Sequence, residues 1–360
     1  YSAPHYILDN VHLTATFDAQ GRLISLLDKR AGGREVIEGG QHGNDLLLFE
    51  DTPASWDAWD IDRAHLEKFW SVSGTEMAIH ETGPLRASLR RTVQISEDSR
   101  LEQIIALDCL SGRLDFECRV EWHEEHKLLK VEFPVAIWAS EASYECQYGA
   151  IRRPTTENTS WDAARFEVCG LRFADISEHG YGVAVLSDSK YGYSCRRNRL
   201  RISLLRARKA PDADCDMGTH HFRYALLPHP GGDFESGRVV EEATAFCTPL
   251  HVLPGRTAES PTAPFLQLEK TTGSAGKLII DCVKMAEDRS GRVIVRAYEA
   301  YGGRGSAVIS SKIANLQSVT ICNGLEDETS LLVHHAESGG FLINYRPFEL
   351  ITLKVSLCRK

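Results

Sequence analysis

The sequence lacks the features that mark several classes of protein. Its 360 residues contain 41 lysines and arginines against 50 aspartates and glutamates, a net charge of −9, so no basic excess indicates a nucleic-acid surface. No apolar run approaches the ~20 residues that span a bilayer. No charged segment followed by an apolar one opens the chain as a secretory signal would. We therefore expect no nucleic-acid partner and no membrane association and, since the first residue is Tyr1, a processed chain or an excised fragment.

Motifs for metal, nucleotide and nucleophile sites are also missing. The sequence contains no C-x-x-C, H-x-H or H-E-x-x-H, and no G-x-S-x-G, G-x-x-x-x-G-K or G-x-G-x-x-G. Adjacent histidines such as His220 and His221 would point to opposite faces of a strand and could not chelate one ion. These patterns predict no metal site in the chain.

The spacing of the ten cysteines does not match a recognisable disulfide framework. Several occur within apolar alternation, as Cys118 does between Phe116 and Val120, where a free cysteine packs as a small hydrophobic residue. We therefore predict ten reduced thiols in a reducing compartment, with a disulfide framework as the alternative.

The dominant pattern is a period of two. Apolar and charged residues alternate without a break over 115–122, and the pattern recurs over 130–137 and at the end of the chain, where Ile351, Leu353, Val355 and Leu357 share a face. Such alternation predicts strands with one face on a core and the other toward solvent or a second layer. Turn residues at 18–21, 110–113 and 288–291 predict hairpins or short loops.

These patterns predict an all-β, mostly antiparallel protein whose strands stack as sandwiches. A segment rich in proline and small polar residues, 254–264, predicts a linker. We place a large β-sandwich over 1–253 and a smaller one over 265–360. The only helix that the sequence predicts is a short one around 161–167.

One dense patch has a composition suited to binding a sugar. Residues 56–62 read Trp-Asp-Ala-Trp-Asp-Ile-Asp, with two of the six tryptophans of the chain. Aromatic rings stack on the CH faces of sugars, and carboxylates accept hydrogen bonds from the hydroxyls. In an extended segment Trp56 and Asp60 would lie on the same side. We predict Trp56, Asp57, Trp59 and Asp60 as substrate-binding residues; the alternative is a loop with buried indoles and solvated acids.

A second patch, 149–167, is long, polar and without period, as functional loops between strands often are. The alternative is a surface crossover in which Asn158, Thr159 or Ser160 caps a short helix. From this patch we predict four substrate-binding residues: Arg153, Asn158, Trp161 and Asp162.

Several segments occur together in the order of a known family. They are 56–60, 153–167, 175–193, 204–212, 224–229 and 345–349. Together they resemble the carboxy-terminal region of class II α-mannosidases of the cytosolic or vacuolar type, glycoside hydrolase family 38. The resemblance spans most of the chain and implies a large galactose-mutarotase-like supersandwich followed by a smaller β-sandwich.

The resemblance also implies what lies outside this chain. The family enzyme has an N-terminal barrel that binds a divalent metal, zinc or cobalt, and a helical middle domain. The motifs of the metal ligands and of the nucleophile are not found here, so we expect no catalytic residue and no metal ligand in this chain. It would support the active site of the barrel during retaining hydrolysis of α-mannosidic bonds.

The resemblance also implies a substrate, protein partners and a location. The substrate would be a mannose-containing oligosaccharide derived from N-glycans, and the protein partners would be the N-terminal barrel and helical domains of the same protein, in a homo-oligomer. The location would be cytoplasmic or, alternatively, vacuolar. Two rival functions stay open: a stand-alone carbohydrate-binding module, and a mutarotase-like enzyme with a histidine and a carboxylate on one concave face.

Overall fold

The computed structural model describes residues 5–252, 254, 263–272, 276–335 and 339–359. The chain divides into two compact units, the first formed by Tyr1–Glu145 with Ile151–Pro249 and the second by Cys146–Ala150 with Leu250–Lys360. Most of the predicted linker, 254–264, lies outside the described residues, and the predicted domain boundaries stay a prediction.

The first unit is built mainly from short and medium strands. In chain order they are β1 (Tyr6–Asp9), β2 (Leu13–Phe17), β3 (Leu23–Asp28), β4 (Arg34–Glu35), β5 (Asp45–Glu50), β6 (Phe69–Val72), β7 (Gly74–Thr82), β8 (Arg86–Gln94), β9 (Arg100–Asp108), β10 (Leu114–Trp122), β11 (Lys127–Pro134), β12 (Glu141–Cys146), β13 (Gly149–Pro154), β14 (Val168–Cys169), β15 (Phe173–Glu178), β16 (Tyr181–Ser187), β17 (Gly192–Arg196), β18 (Arg199–Arg206) and β19 (Gly218–Pro230). The helices are α1 (Ser160–Ala164), α2 (Val239–Cys247) and two 3₁₀ helices, Lys29–Ala31 and Arg63–Glu67.

These strands form three sheets. Their orders are β1-β2-β3-β4, β13-β12-β15-β16-β19-β10-β9-β8-β7 and β14-β17-β18-β11-β5-β6. One large core lies between them, and its close packing is visible where the rings of Phe116 in β10 and Phe133 in β11 approach to 5.7 Å across the two larger sheets. The all-β sandwich prediction is confirmed.

The alternation predicted for 115–122 is confirmed in β10. Its even-numbered residues are buried, and its odd-numbered ones are half-buried or exposed. The predicted turns at 18–21 and 110–113 connect the paired strands β2–β3 and β9–β10. Strand β11 instead is buried on both faces, because a second layer covers Lys130 and Glu132.

The two larger sheets each have a covering layer on the outer face. Over the six-stranded sheet, Phe49 and its neighbours pack against Ile61 and Leu66. Over the nine-stranded sheet, α2 contacts β15 and β16. Helix α2 was not predicted from the sequence. It begins after Arg238, which has a left-handed conformation (φ 54°) and no side-chain cap, so the usual signal of a helix start is absent.

The second unit is smaller and also β. Its strands are β20 (Gln267–Thr272), β21 (Leu278–Met285), β22 (Val293–Glu299), β23 (Gly305–Ser310), β24 (Ala314–Cys322), β25 (Glu328–Leu331), β26 (His334–His335), β27 (Gly340–Tyr345) and β28 (Leu350–Arg359). They form sheets of order β20-β23-β27-β26 and β21-β22-β28-β24-β25 around a separate core. The predicted turn at 288–291 connects β21 and β22, and the shared apolar face near the end of the chain belongs to β28.

All ten cysteines are free thiols in the structure. Burial raises the pKa of Cys118 to about 12, so this thiol is protonated at neutral pH. No helix among the described residues has the length and apolarity needed to cross a membrane.

Candidate functional site

The first predicted patch is a turn rather than an extended segment. Trp56 has a left-handed backbone (φ 60°), and its carbonyl oxygen accepts hydrogen bonds from the N–H groups of Trp59 (2.8 Å) and Asp60 (2.9 Å). The expectation that alternate residues would share one side is therefore wrong. Closure of the turn follows from hydrogen bonding within five residues, which the alternation of residue types does not reveal.

The two indoles of this turn face solvent. Trp56 is 72% exposed and Trp59 is 73% exposed, and their ring centroids lie 6.4 Å apart in a T-shaped arrangement. The alternative with buried indoles is therefore wrong as well. Two open aromatic faces are suited to stacking on sugar rings, but their role as substrate contacts stays a prediction.

The acidic residues of the turn hold its backbone in place. The Asp57 carboxylate accepts hydrogen bonds from the backbone N–H groups of Lys209 (2.6 Å) and Ala210 (2.9 Å). Burial acts to raise the pKa of Asp57, but these two N–H groups together with the nearby His126 and Arg206 outweigh it, and the pKa lies below its ordinary value. The Asp60 carboxylate accepts a hydrogen bond from the next N–H group, that of Ile61.

Arg206 is a positioning residue that the sequence analysis missed. Its guanidinium pairs with Asp51, which is 2% exposed, and donates to the carbonyl oxygens of Ala58 (3.4 Å) and Asp60. The turn at 56–60 is therefore tied to β18. No local signal announces this contact, because about 150 residues separate its two sides in sequence.

The second predicted patch contains α1, and its polar residues cap this helix. The Thr159 hydroxyl accepts a hydrogen bond from the N–H of Asp162 (3.1 Å), and the Asp162 carboxylate accepts one from the N–H of Thr159 (3.2 Å), a capping box. The predicted short helix is present, with Thr159 as its cap. Asn158 donates to the Thr156 hydroxyl (3.2 Å), and Trp161 is 77% exposed.

The second patch borders a small cavity and an open depression. Arg153, whose guanidinium lies 4.8 Å from the ring centroid of Tyr144, lines a cavity of about 40 Å³ together with Asp162. Pockets that enclose small molecules hold at least ~300 Å³. Asn158 lines an adjoining open depression. The patch therefore offers a surface rather than a closed pocket.

The 3₁₀ helix Arg63–Glu67 brings the two patches together. Arg63 lies 3.6 Å from the Glu157 carboxylate, and the ring of His65 lies 5.6 Å from that of Phe166. Residues 61–66 and 166–167 thus lie over the outer face of the six-stranded sheet, whereas Gly149–Pro154 form β13 at the edge of the nine-stranded sheet. We call the residues 56–67 and 153–167 the outer surface.

A buried charged cluster lies beneath the outer surface. The side chain of Lys130 is 1% exposed, and its Nζ lies 2.5 Å from Glu167 Oε2 and 3.2 Å from His65 Nε2. Glu167 also accepts a hydrogen bond from the Ser203 hydroxyl. Burial, followed by the charge of Lys130, lowers the pKa of His65, so this ring is a neutral acceptor at neutral pH.

One feature of the sequence indicates this cluster indirectly. Lys130 and Glu132 are the charged members of an alternating strand, and the sequence analysis left open whether they face solvent or a second layer. In the structure the guanidinium groups of Arg199 and Arg201 each lie 2.5 Å from an oxygen of the Glu132 carboxylate. Buried charges require such partners, but which residues supply them depends on the fold.

The side chains present do not fit a divalent metal. Across the described parts of the chain, no three histidine, cysteine, aspartate or glutamate side chains come together in an arrangement that could hold an ion.

Comparison with known families gives two matches. The model of the glycosyl hydrolases family 38 C-terminal domain matches residues 8–214, and that of the family 38 C-terminal beta sandwich domain matches residues 277–353. Among curated proteins, the chain is 41% identical to alpha-mannosidase 2C1 of Homo sapiens, covering 97% of this chain and 33% of that protein. It is 38% identical to alpha-mannosidase G of Dictyostelium discoideum, with 97% and 32% covered.

The chain thus spans about a third of the length of the curated relatives that it matches. Among solved structures, it is similar to the crystal structure of an alpha-mannosidase from Enterococcus faecalis V583, with a TM-score of 0.74 and 15% identity. That match covers 97% of this chain and 42% of the other. At this identity the likeness concerns the fold alone.

Proposed function

Because the chain belongs to glycosyl hydrolase family 38, whose C-terminal domains it comprises, we propose that it is the β-sandwich portion of an α-mannosidase and that its outer surface borders the sugar site. The supporting observation is that the segments carrying the two predicted patches meet where Arg63 lies 3.6 Å from the Glu157 carboxylate, and that Trp56, Trp59 and Trp161 in these segments are exposed. Such rings stack on the apolar faces of sugars.

In this proposal the chain binds and orients sugar but breaks no bond. Retaining hydrolysis needs two carboxylates placed about 5–5.5 Å apart across the glycosidic bond, and the acids of the outer surface hold their own loops instead. The nucleophile and the divalent metal, zinc or cobalt, would belong to an N-terminal barrel outside this chain. The chain's partners would be that barrel, the helical domain and further copies of the same protein.

The substrate would be a mannose-containing oligosaccharide released from N-glycans, and the location would be the cytoplasm or, alternatively, the vacuole. A sugar ring stacked on Trp56 or Trp59 would strengthen the binding of the oligosaccharide without taking part in bond cleavage. The expected signature is therefore a change in KM for oligosaccharides with little change in kcat.

The test is the Trp56→Ala/Trp59→Ala double variant in the intact mannosidase. We expect KM for a mannotriose to rise about tenfold, since two aromatic platforms are lost, with an unchanged melting temperature. Tyr191→Ala is a matched control, because this aromatic side chain is 58% exposed outside the outer surface. Unchanged KM in a folded double variant would refute the contact.

The two rival functions can be separated with the 360-residue chain. Turnover of a chromogenic α-mannoside well above the buffer rate would contradict the proposal that the catalytic groups lie elsewhere. Calorimetric titration with mannose oligosaccharides tests the stand-alone binding module. Exchange between the two anomers of a free sugar, followed by NMR, tests the mutarotase-like enzyme.

A further inference from the structure

A second concave surface of the first unit contains polar groups that the outer surface does not use. It is an open groove of about 510 Å³ bordered by 138–143, 177–179 and 232–234. Thr155, which lines the small cavity of the outer surface, donates a hydrogen bond to the carbonyl oxygen of Ala139 (2.6 Å), which lines the groove. The two surfaces are therefore neighbours that share no lining residue.

An exposed tryptophan stands at the rim of the groove. Trp138 is 71% exposed, yet its backbone N–H donates to Glu178 Oε2 at 2.8 Å. Glu178 is in turn paired with Arg34, whose guanidinium lies 4.2 Å from the ring centroid of Tyr181. The backbone is thus fixed by a chain of contacts, while the indole stays open to a ligand.

Three polar side chains of the groove have unused hydrogen-bonding capacity. Glu141, Ser143 and Arg152 line it, and none of them makes a side-chain hydrogen bond or ion pair within the described residues. Ser143 is only 8% exposed, but its hydroxyl is not fully enclosed, and the residue lines the groove. These groups include a cation, an anion and a hydroxyl, so the groove can both donate and accept hydrogen bonds.

The charge of the groove disfavours an anionic ligand. Of the four carboxylates that line it, Glu178 is paired with Arg34 and Asp175 is hydrogen-bonded to His229, which leaves Glu141 and Asp233 against the guanidinium of Arg152. An anionic ligand would meet this excess of carboxylates, and a purely apolar ligand would leave the donors and acceptors unpaired. Saccharide hydroxyls donate and accept at once, and the CH face of a sugar ring matches an open indole.

We propose that this groove is a separate binding site for a neutral saccharide, with a hexose ring against Trp138 and its hydroxyls on Glu141, Ser143 and Arg152. The site does not depend on the proposed role of the outer surface. It would hold a sugar unit beyond those that the outer surface contacts, or an independent glycan.

The test uses the 360-residue chain labelled with 5-fluorotryptophan. Titration with mannotriose and with maltotriose is followed by ¹⁹F NMR, with the Trp138 resonance assigned from Trp138→Ala. We expect either saccharide to shift this resonance at millimolar concentration. Trp138→Ala and Arg152→Gln should each weaken binding, measured by calorimetry, about tenfold or more. Tyr191→Ala, which changes an exposed aromatic elsewhere, should bind like the parent chain.

Ser143→Ala separates binding from folding. Because the hydroxyl has no partner, its removal should leave the melting temperature unchanged or raise it, while saccharide affinity falls. Trigalacturonate, an anionic trisaccharide, should bind more weakly than either neutral one. Equal or tighter binding of trigalacturonate would overturn the assignment of a neutral ligand.

Two results would overturn the site itself. One is the absence of any Trp138 shift with both saccharides at millimolar concentration. The other is binding that Trp56→Ala/Trp59→Ala abolishes and Trp138→Ala leaves intact. That second outcome would support the outer surface and reject the groove, so the two proposals fail in distinguishable ways.

Discussion

Replacing Lys130 with methionine tests whether the buried cluster holds the outer surface in place. Methionine retains most of the apolar stem and removes the charge that lies 2.5 Å from Glu167 and 3.2 Å from His65 Nε2. Of the two partners of Glu167 in the cluster, only the Ser203 hydroxyl then remains. The carboxylate is left largely buried beside the rings that cover β5 and β11.

The expected loss follows from the burial of the two partners. Removing one partner of a buried ion pair costs about 3–5 kcal/mol. Since Lys130 is 1% exposed but Glu167 is 12% exposed, the lower end applies, about 3 kcal/mol. A unit of this size loses about 2–4 °C in melting temperature per kcal/mol, so a fall of about 6–12 °C is expected.

The assay combines thermal unfolding with hydrogen exchange of the amides in 61–67 and 157–167. Exchange should accelerate there first, because both segments pack over Lys130. The double variant Lys130→Met/Glu167→Leu should recover more than half of the lost stability, since no buried charge is left unpaired. The Lys68→Met control removes a charge whose side chain is 68% exposed, and it should change little. If Lys130→Met melts like Lys68→Met, the cluster does not stabilise this surface.

Two further predictions concern titratable residues of the outer surface. Asp57→Ala removes the acceptor of two backbone N–H groups and should cost about 1–3 kcal/mol in urea unfolding, with Asp57→Asn losing less; equal stability of all three proteins would contradict the anchoring role. Since the folded state lowers the pKa of Asp57, its contribution is full above the ordinary aspartate pKa and is lost as the pH falls through the folded value, and Asp57→Asn should flatten this acid limb. The folded state also lowers the pKa of His65 from 6.5, so the unfolded chain binds the proton more readily and stability falls as the pH drops below 6.5. His65→Gln should remove this part of the pH dependence of the melting temperature, and an unchanged profile would show that His65 is not its source.

The parts of the fold that the sequence predicted are those that local pattern determines. Strand β10 alternates buried and open positions because its side chains meet one core, and its period of two records this directly. The turns at 18–21, 110–113 and 288–291 likewise follow from residues that are suited to tight reversal. The order of a larger and a smaller β unit was placed from the composition of 254–264, and the family resemblance implied the same order.

The parts that the sequence did not predict depend on residues far apart in the chain. Helix α2 has no cap to announce its start and is held by the sheet beneath it. Strand β11 is buried on both faces because partners from other strands neutralise Glu132, which a charged alternation cannot reveal. The left-handed Trp56 closes the turn at 56–60. Arg206 of β18 donates to this turn, and Asp57 of the turn accepts from the backbone of the loop that follows β18.

The composition that suggested sugar chemistry separates into two roles in the structure. The acids hold the loops, since Asp57 accepts from a distant backbone segment and Asp162 caps α1, whereas Trp56, Trp59 and Trp161 stay open. A carboxylate offers about four acceptor positions, so an anchored acid can still accept from a sugar hydroxyl, but only in an orientation that the anchor dictates. In the proposed sugar-binding role, affinity would therefore depend first on the rings, and the anchored acids would restrict which faces of a sugar can approach.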